Sequence, residues 1–209
     1  MKERIIHSHD CVLEGAEFLA DLEPRFAYAL GQTGALPLRL RKDGFEALLS
    51  AIVSQQVSVA AAAAIWRRLK AAKLTGPRKI MWASDEELRA CGLSRQKITY
   101  AKALAGAGIR FDDLRDVSSP EVIDTLVAVK GIGVWTAEIY AMFSLGRADI
   151  FAPGDLALQE SAKILFDLPE RPKEKELRQM ADAWSPWRSV AARLLWAYYR
   201  VAKDREGIR

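Results

Sequence analysis

The sequence predicts an all-α fold, and its 209 residues allow one domain or two interleaved helical lobes. Three observations carry the all-α class. Apolar residues recur at three- and four-residue spacing along most of the chain, alternation at period two is nearly absent, and helix-start and helix-stop residues punctuate the apolar segments. Asp43-Gly44-Phe45 opens a segment in which Phe45, Leu48, Leu49 and Ile52 share one face. Val57 to Ala72 holds an alanine run followed by Ile65, Trp66 and Leu69, the pattern of a helix buried over most of its surface. Gly76-Pro77 predicts a break. Ser84-Asp85-Glu86-Glu87 reads as a capping box ahead of Leu88, with Gly92 as the stop. Ser94 caps the next helix, which carries Ile98, Ala101, Leu104 and Ala105 on one side.

Ser119-Pro120-Glu121 supplies an N-cap, a proline at the first helical position and an acid near the positive helix end. Ile123, Leu126, Val127 and Val129 follow. A second helix is predicted from Val134 to Leu145, stopped by Gly146, and then a connector over 149–155 broken by Pro153 and Gly154. Leu156–Phe166, Lys173–Trp184 and Trp187–Lys203 complete about ten helices, separated by Pro169, Pro172 and Pro186. Solenoid repeats and low-complexity linkers are absent from the sequence.

Composition narrows the function classes. Half of the 209 residues are hydrophobic and 28% are charged, as in ordinary globular proteins. No apolar run approaches the roughly 20 residues that span a bilayer. The start of the chain, with Glu3, His7 and Asp10, does not read as a signal peptide. Cys11 and Cys91 are too few for a metal or iron–sulfur centre. The expectation is a cytoplasmic protein without a membrane partner. The net charge is +4 but unevenly spread. Ala60 to Arg115 has 12 Lys/Arg against 5 Asp/Glu, Glu121 to Glu170 has 3 against 8, and Arg171 onward has 10 against 5. A basic surface could attract a polyanion at long range, although solvated helix faces produce the same unevenness.

The most specific tract is Val129-Lys130-Gly131-Ile132-Gly133-Val134-Trp135-Thr136-Ala137. Two glycines one residue apart between helices make a tight turn, and the second helix offers unpaired amides and a dipole that favours an anion. Gly131, Gly133, Val134 and Trp135, with Thr136 in the same first turn, are the candidate phosphate contacts; a plain interhelical turn is the alternative. Asp155 follows Gly133 by 22 residues, one helix and a short connector later. An aspartate there could cap the next helix, act as a catalytic carboxylate, or do both.

These residues, together with Ala51-Ile52-Val53-Ser54-Gln55-Gln56-Val57-Ser58 and Trp187-Arg188-Ser189, resemble the helix-hairpin-helix DNA glycosylases. The likeness runs over about 43–199, on the 3-methyladenine DNA glycosylase II branch, in a compact form lacking the additional β-rich N-terminal domain of some relatives. It implies a monomer, associated with the bacterial nucleoid when bound to DNA. The resemblance implies two lobes with the active site in the cleft between them. Residues 43–145 would hold the hairpin, and 1–42 with 146–209 would build the other lobe. It implies that Asp155 is the catalytic carboxylate and that the hairpin grips double-stranded DNA containing a damaged base. It implies no organic cofactor, but a structural monovalent cation (Na or K) at hairpin carbonyls near Val129 and Gly131.

By the same resemblance Gln56 matches the side chain that fills the gap left by a flipped base, and Trp196 the aromatic against which that base stacks. Trp135 and Tyr140 would help line the pocket, with Ile139 replacing a tyrosine common in relatives. Lys97 is a candidate phosphate contact. Strand-cutting relatives carry a lysine at the position of Trp135, which can form a Schiff base as tryptophan cannot. The implied activity is therefore monofunctional hydrolysis of the N-glycosidic bond of alkylated bases in base excision repair. A glycosylase for another lesion or mismatch, or a non-catalytic helix-hairpin-helix DNA-binding module, remains the alternative.

Overall fold

The computed structural model describes residues 3–203, and among them it is all-α: twelve α-helices, one 3-10 turn and a single antiparallel bridge between Ile5 and Arg147. The chain separates into two compact units. One is Arg41–Tyr140; the other joins the chain up to Leu40 with the chain from Ala141 onward.

In the discontinuous unit, α1 (His9–Leu22) and α2 (Pro24–Thr33) pack on each other and on α12 (Arg188–Lys203). Glu23 both ends α1 and caps α2, accepting from the Arg25 amide, and Pro24 supplies the first helical position. The sequence predicts no individual helix before residue 43, although the resemblance places 1–42 in a helical lobe; α1 buries Val12, Gly15, Ala16 and Leu19, and α2 buries Phe26 and Ala29. Here α10 (Leu156–Leu165) packs on α12 and α11 (Glu174–Asp182) packs on α10. An aromatic cluster fills the core, with the Phe26, Phe151 and Phe166 rings 5.2–5.8 Å from Trp184.

The continuous unit centres on α3 (Phe45–Ser54), which buries Phe45, Leu48, Leu49, Ile52 and Val53. Against it lie α4 (Val59–Ala71) and α7 (Arg95–Gly106), and α7 in turn carries α5 (Pro77–Trp82) and α6 (Asp85–Ala90). The Gly76-Pro77 break is instead a beginning: Pro77 opens α5, because a proline lacks only the amide that a first helical position leaves unpaired anyway. The capping box Ser84–Glu87 forms in both directions. The helix before the glycines, α8 (Ser119–Val127), has the same device one residue earlier than the sequence suggested, with Ser118 as the cap and Glu121 as its partner. The helix after them, α9 (Val134–Phe143), ends two residues short of Leu145, and Gly146 sits beyond it at φ +71. No described helix is long and apolar enough to cross a membrane.

Candidate DNA-repair site

Ala128 to Gly133 links α8 to α9. Gly131 has φ +97, and a Cβ there would lie 2.2 Å from Cγ of Tyr100, so the glycine is required both by backbone conformation and by the ring beneath it. Gly133 is a different case. It is exposed, its φ is not in the left-handed region, and a Cβ there would meet nothing within 4 Å. The fold places no demand on that glycine, so the clear space above it is available to an incoming group. Val134 and Trp135 beside it are 42% and 39% exposed, while Thr136 is buried. The Ala137 amide donates to the Gly133 carbonyl at 3.1 Å and closes the first turn of α9, whose N-terminus carries the positive end of the helix dipole.

The turn's carbonyls are partly used. Val129 accepts from the Ile132 amide at 3.0 Å, and Gly131 accepts from Nε2 of Gln55 at 2.9 Å. Each carbonyl oxygen keeps a second lone pair, the kind of neutral hard donor that suits a monovalent cation. Among the described residues no cluster of His, Cys, Asp or Glu is arranged to hold a metal.

Gln55 and Gln56 connect α3 to α4. Gln56 is exposed and has φ +55, a left-handed conformation that costs a non-glycine residue about 1–2 kcal/mol. The helix-start cap on α4 is Ser58, which accepts from the Ala61 amide, so neither glutamine side chain serves as that cap. Gln55, Gln56, Val57, Ser94, Tyr100 and the glycine turn border a groove of about 720 Å³ within this unit.

Two candidate residues turn inward. Lys97 is buried and its Nζ donates to the Val53 carbonyl at 2.6 Å, in the last turn of α3; burial pushes its amine below the usual lysine value. It satisfies a helix C-terminus rather than presenting charge to a phosphate. Tyr140 is buried beside Phe111, with ring centroids 6.4 Å apart, and its hydroxyl accepts from the Gly44 amide at the start of α3. Burial pushes the phenol up to about 12. Its hydroxyl is thus held by backbone and its ring is buried, so it presents almost no exposed surface here.

In the other unit, Asp155 caps α10. Its Oδ1 accepts from the amides of Ala157 at 2.9 Å and Leu158 at 3.1 Å, and from Nε1 of Trp196 at 3.1 Å. Asp155 is 7% exposed and Trp196 is fully buried. The indole therefore offers no exposed stacking face here; its polar edge holds the carboxylate. The preceding turn is braced by Nε2 of Gln159 donating to the Pro153 carbonyl at 2.8 Å. At the other end of the connector Asp149 accepts a two-pronged pair from Arg188 at 2.7 and 2.9 Å and a bond from the Ser185 hydroxyl. Burial alone would raise the Asp149 carboxyl; Arg188 and Ser185 outweigh it and hold the carboxyl below its ordinary value. Both ends of the connector are thus tied to α12, through Arg188 and Trp196.

Sequence reasoning missed Gln55 and Tyr100, and it missed Arg193. Arg193 is buried in α12, donates to the Ser189 and Leu38 carbonyls and the Ser189 hydroxyl, and lies 4.8 Å over the Phe143 ring, which packs against Trp196 at 5.7 Å. Burial pushes its guanidinium down to about 9. An arginine three residues from a tryptophan on a helix gives no sequence sign that both point inward. For Gln55 the adjacent glutamine masked the signal.

Residues 49–187 match the family described as HhH-GPD superfamily base excision DNA repair protein. DNA-3-methyladenine glycosylase 1 of Schizosaccharomyces pombe is 33% identical over 178 residues, covering 81% of this chain and 78% of that protein. A solved DNA-3-methyladenine glycosidase from Bacillus halodurans superposes with a TM-score of 0.83 at 32% identity, covering 99% of this chain and 96% of that one. A 3-methyladenine DNA glycosylase of S. pombe, solved in complex with abasic DNA, superposes at 0.75 with 29% identity, covering 91% and 97%. With the glycine turn, the capped aspartate and the two-unit all-α architecture in place, the chain belongs to the HhH-GPD superfamily of base excision DNA repair proteins, on its 3-methyladenine DNA glycosylase branch.

Proposed function

We propose that this protein is a monofunctional DNA glycosylase that flips N-alkylated bases of the 3-methyladenine type out of double-stranded DNA and releases them by hydrolysis. The observation that carries the proposal is Asp155, a buried carboxylate whose Oδ1 is fixed by three N–H donors from two helices. The names of its relatives, and the abasic DNA held by one solved neighbour, support the substrate class.

Chemistry follows from charge. Flipping costs a few kcal/mol, least for a damaged base that pairs poorly. An N-alkylated purine is already cationic, so it leaves without a strong general acid. As the bond to the base lengthens, positive charge develops on the sugar. The Asp155 carboxylate stabilises that charge and orients the water that completes hydrolysis. Trp135 offers no amine for a Schiff base, which supports base release without strand cleavage.

The DNA backbone would rest on the first-turn amides of α9, from Gly133 to Trp135, with Thr136 behind them, and Gln56 would enter the base stack. The carbonyls of Val129 and Gly131 would hold a monovalent cation, adding positive potential beside the phosphate. Bases released from methylated duplex DNA are to be resolved by chromatography for wild type and Asp155→Asn. Release should fall by about 10²–10³, the usual scale for removing one electrostatic stabiliser, with binding of abasic duplex nearly unchanged. An active Asn variant would sink the catalytic assignment, and strand cleavage by the wild type would sink the monofunctional one.

A further inference from the structure

Three elements of the continuous unit meet around one residue. The first is the end of α3, where Lys97 holds the Val53 carbonyl and Gln56 follows in its left-handed conformation. The second is α7, which supplies both Lys97 and Tyr100; the Tyr100 hydroxyl accepts from Nε2 of Gln96 at 2.6 Å, and the ring lies directly under Gly131. The third is the glycine turn itself. Gln55 spans from the first to the third: its backbone ends α3, its neighbour is Gln56, and its Nε2 donates to the Gly131 carbonyl at 2.9 Å across 76 residues of sequence.

We propose that Gln55 is a positioning residue that couples the grip of the glycine turn on the DNA backbone to insertion of Gln56 into the base stack. The inference rests on the glycosylase reading above. Gly133, with open space above it, lies two residues beyond the carbonyl that Gln55 holds. Gln56 lies one residue beyond Gln55 itself. A phosphate on the turn and a side chain in the stack are therefore separated by a few peptide units and one hydrogen bond. That short path sets how far from the gripped phosphate the stack is opened, and so which nucleotide is flipped. Tyr100 keeps Gly131 from sinking, and Lys97 keeps the end of α3 from unwinding, so the Gln55 amide is the adjustable link between two braced parts.

The test uses the full protein and a duplex carrying a tetrahydrofuran abasic analogue, with 2-aminopurine in the opposite strand beside the gap. Wild-type protein should raise the fluorescence on binding, and Gln56→Ala should abolish most of that rise, establishing that it reports insertion. Gln55→Met keeps length and loses the donor. It should bind with a dissociation constant within about threefold of wild type yet lose at least half of the rise, a split that general destabilisation does not produce. Gln55→Glu faces the carbonyl with an acceptor at neutral pH and regains a donor when protonated. Its rise should be weak at pH 7.5 and recover toward pH 5, which provides a second readout from a folded isostere. A full rise in Gln55→Met, an equal loss of affinity and rise, a pH-independent Gln55→Glu, or no rise with wild type would each overturn the coupling. Because the readout needs no base release, a protein that released no base from methylated DNA would fail the glycosylase reading separately.

Discussion

An alanine at position 131 would place its Cβ 2.2 Å from Tyr100 in a backbone conformation that side chains resist, whereas at position 133 it would meet nothing within 4 Å. The two glycines of one turn therefore separate folding from binding. Gly131→Ala should destabilise the protein by roughly 1–3 kcal/mol, lowering the thermal midpoint by several degrees. Gly133→Ala should leave that midpoint within about 2 °C, since surface substitutions usually stay within about 0.5 kcal/mol, while weakening duplex DNA binding about tenfold or more by holding the backbone away from a phosphate. Calorimetry and fluorescence anisotropy on both variants check the contrast; a fall in midpoint for both would mean that Gly133 is also a folding requirement. At this scale the sequence was most legible where the chemistry is local. Asp155 is the cap that its position before an apolar run suggested. Lys97, Tyr140 and Trp196 were not legible, because their roles depend on which way a side chain points after packing. A lysine amine reaching Val53 across 44 residues leaves no trace in spacing.

Capping residues made several helices readable, since Ser84 and Ser94 act within four residues of sequence; at α8 the same signal pointed to Ser119, one residue past the actual cap Ser118. The shortfalls were α1, α2 and α5. Two of these open on a proline, a residue equally at home in a turn, and only packing decides between the two. A helix can also brace others, as α7 does for α3 and the glycine turn. Lys97→Met should leave the Val53 carbonyl in α3's last turn without its amine donor, at about 1–3 kcal/mol by denaturant titration. The slope of DNA affinity against salt should not change; a slope reduced by about one would instead show Lys97 on a phosphate after all.

For the molecule as a whole, charge is more telling by location than by total. The stretch from Ala60 to Arg115 carries 12 basic residues against 5 acidic, while the stretch holding the glycine turn is acidic. Binding through amide dipoles supported by basic neighbours should weaken at least about tenfold for duplex DNA between 50 and 200 mM salt. Salt-independent affinity would remove the basic neighbours from the account. The all-α class was readable because helical periodicity persists almost throughout the chain. Which stretches associate was not, since α1 and α2 find their partner α12 more than 150 residues later in the chain.

That long return has a consequence during synthesis. The first two helices leave the ribosome before α12 has been translated, and the whole of Arg41–Tyr140 emerges in between. At elongation rates of about 5–20 residues per second the wait is on the order of ten seconds. For that interval Val12, Leu19 and Phe26 have no finished core to enter. Leu13, Phe18 and Leu22 of α1 and Tyr28 of α2, which stay exposed in the finished fold, add to the sticky surface offered to chaperones and to neighbouring nascent chains.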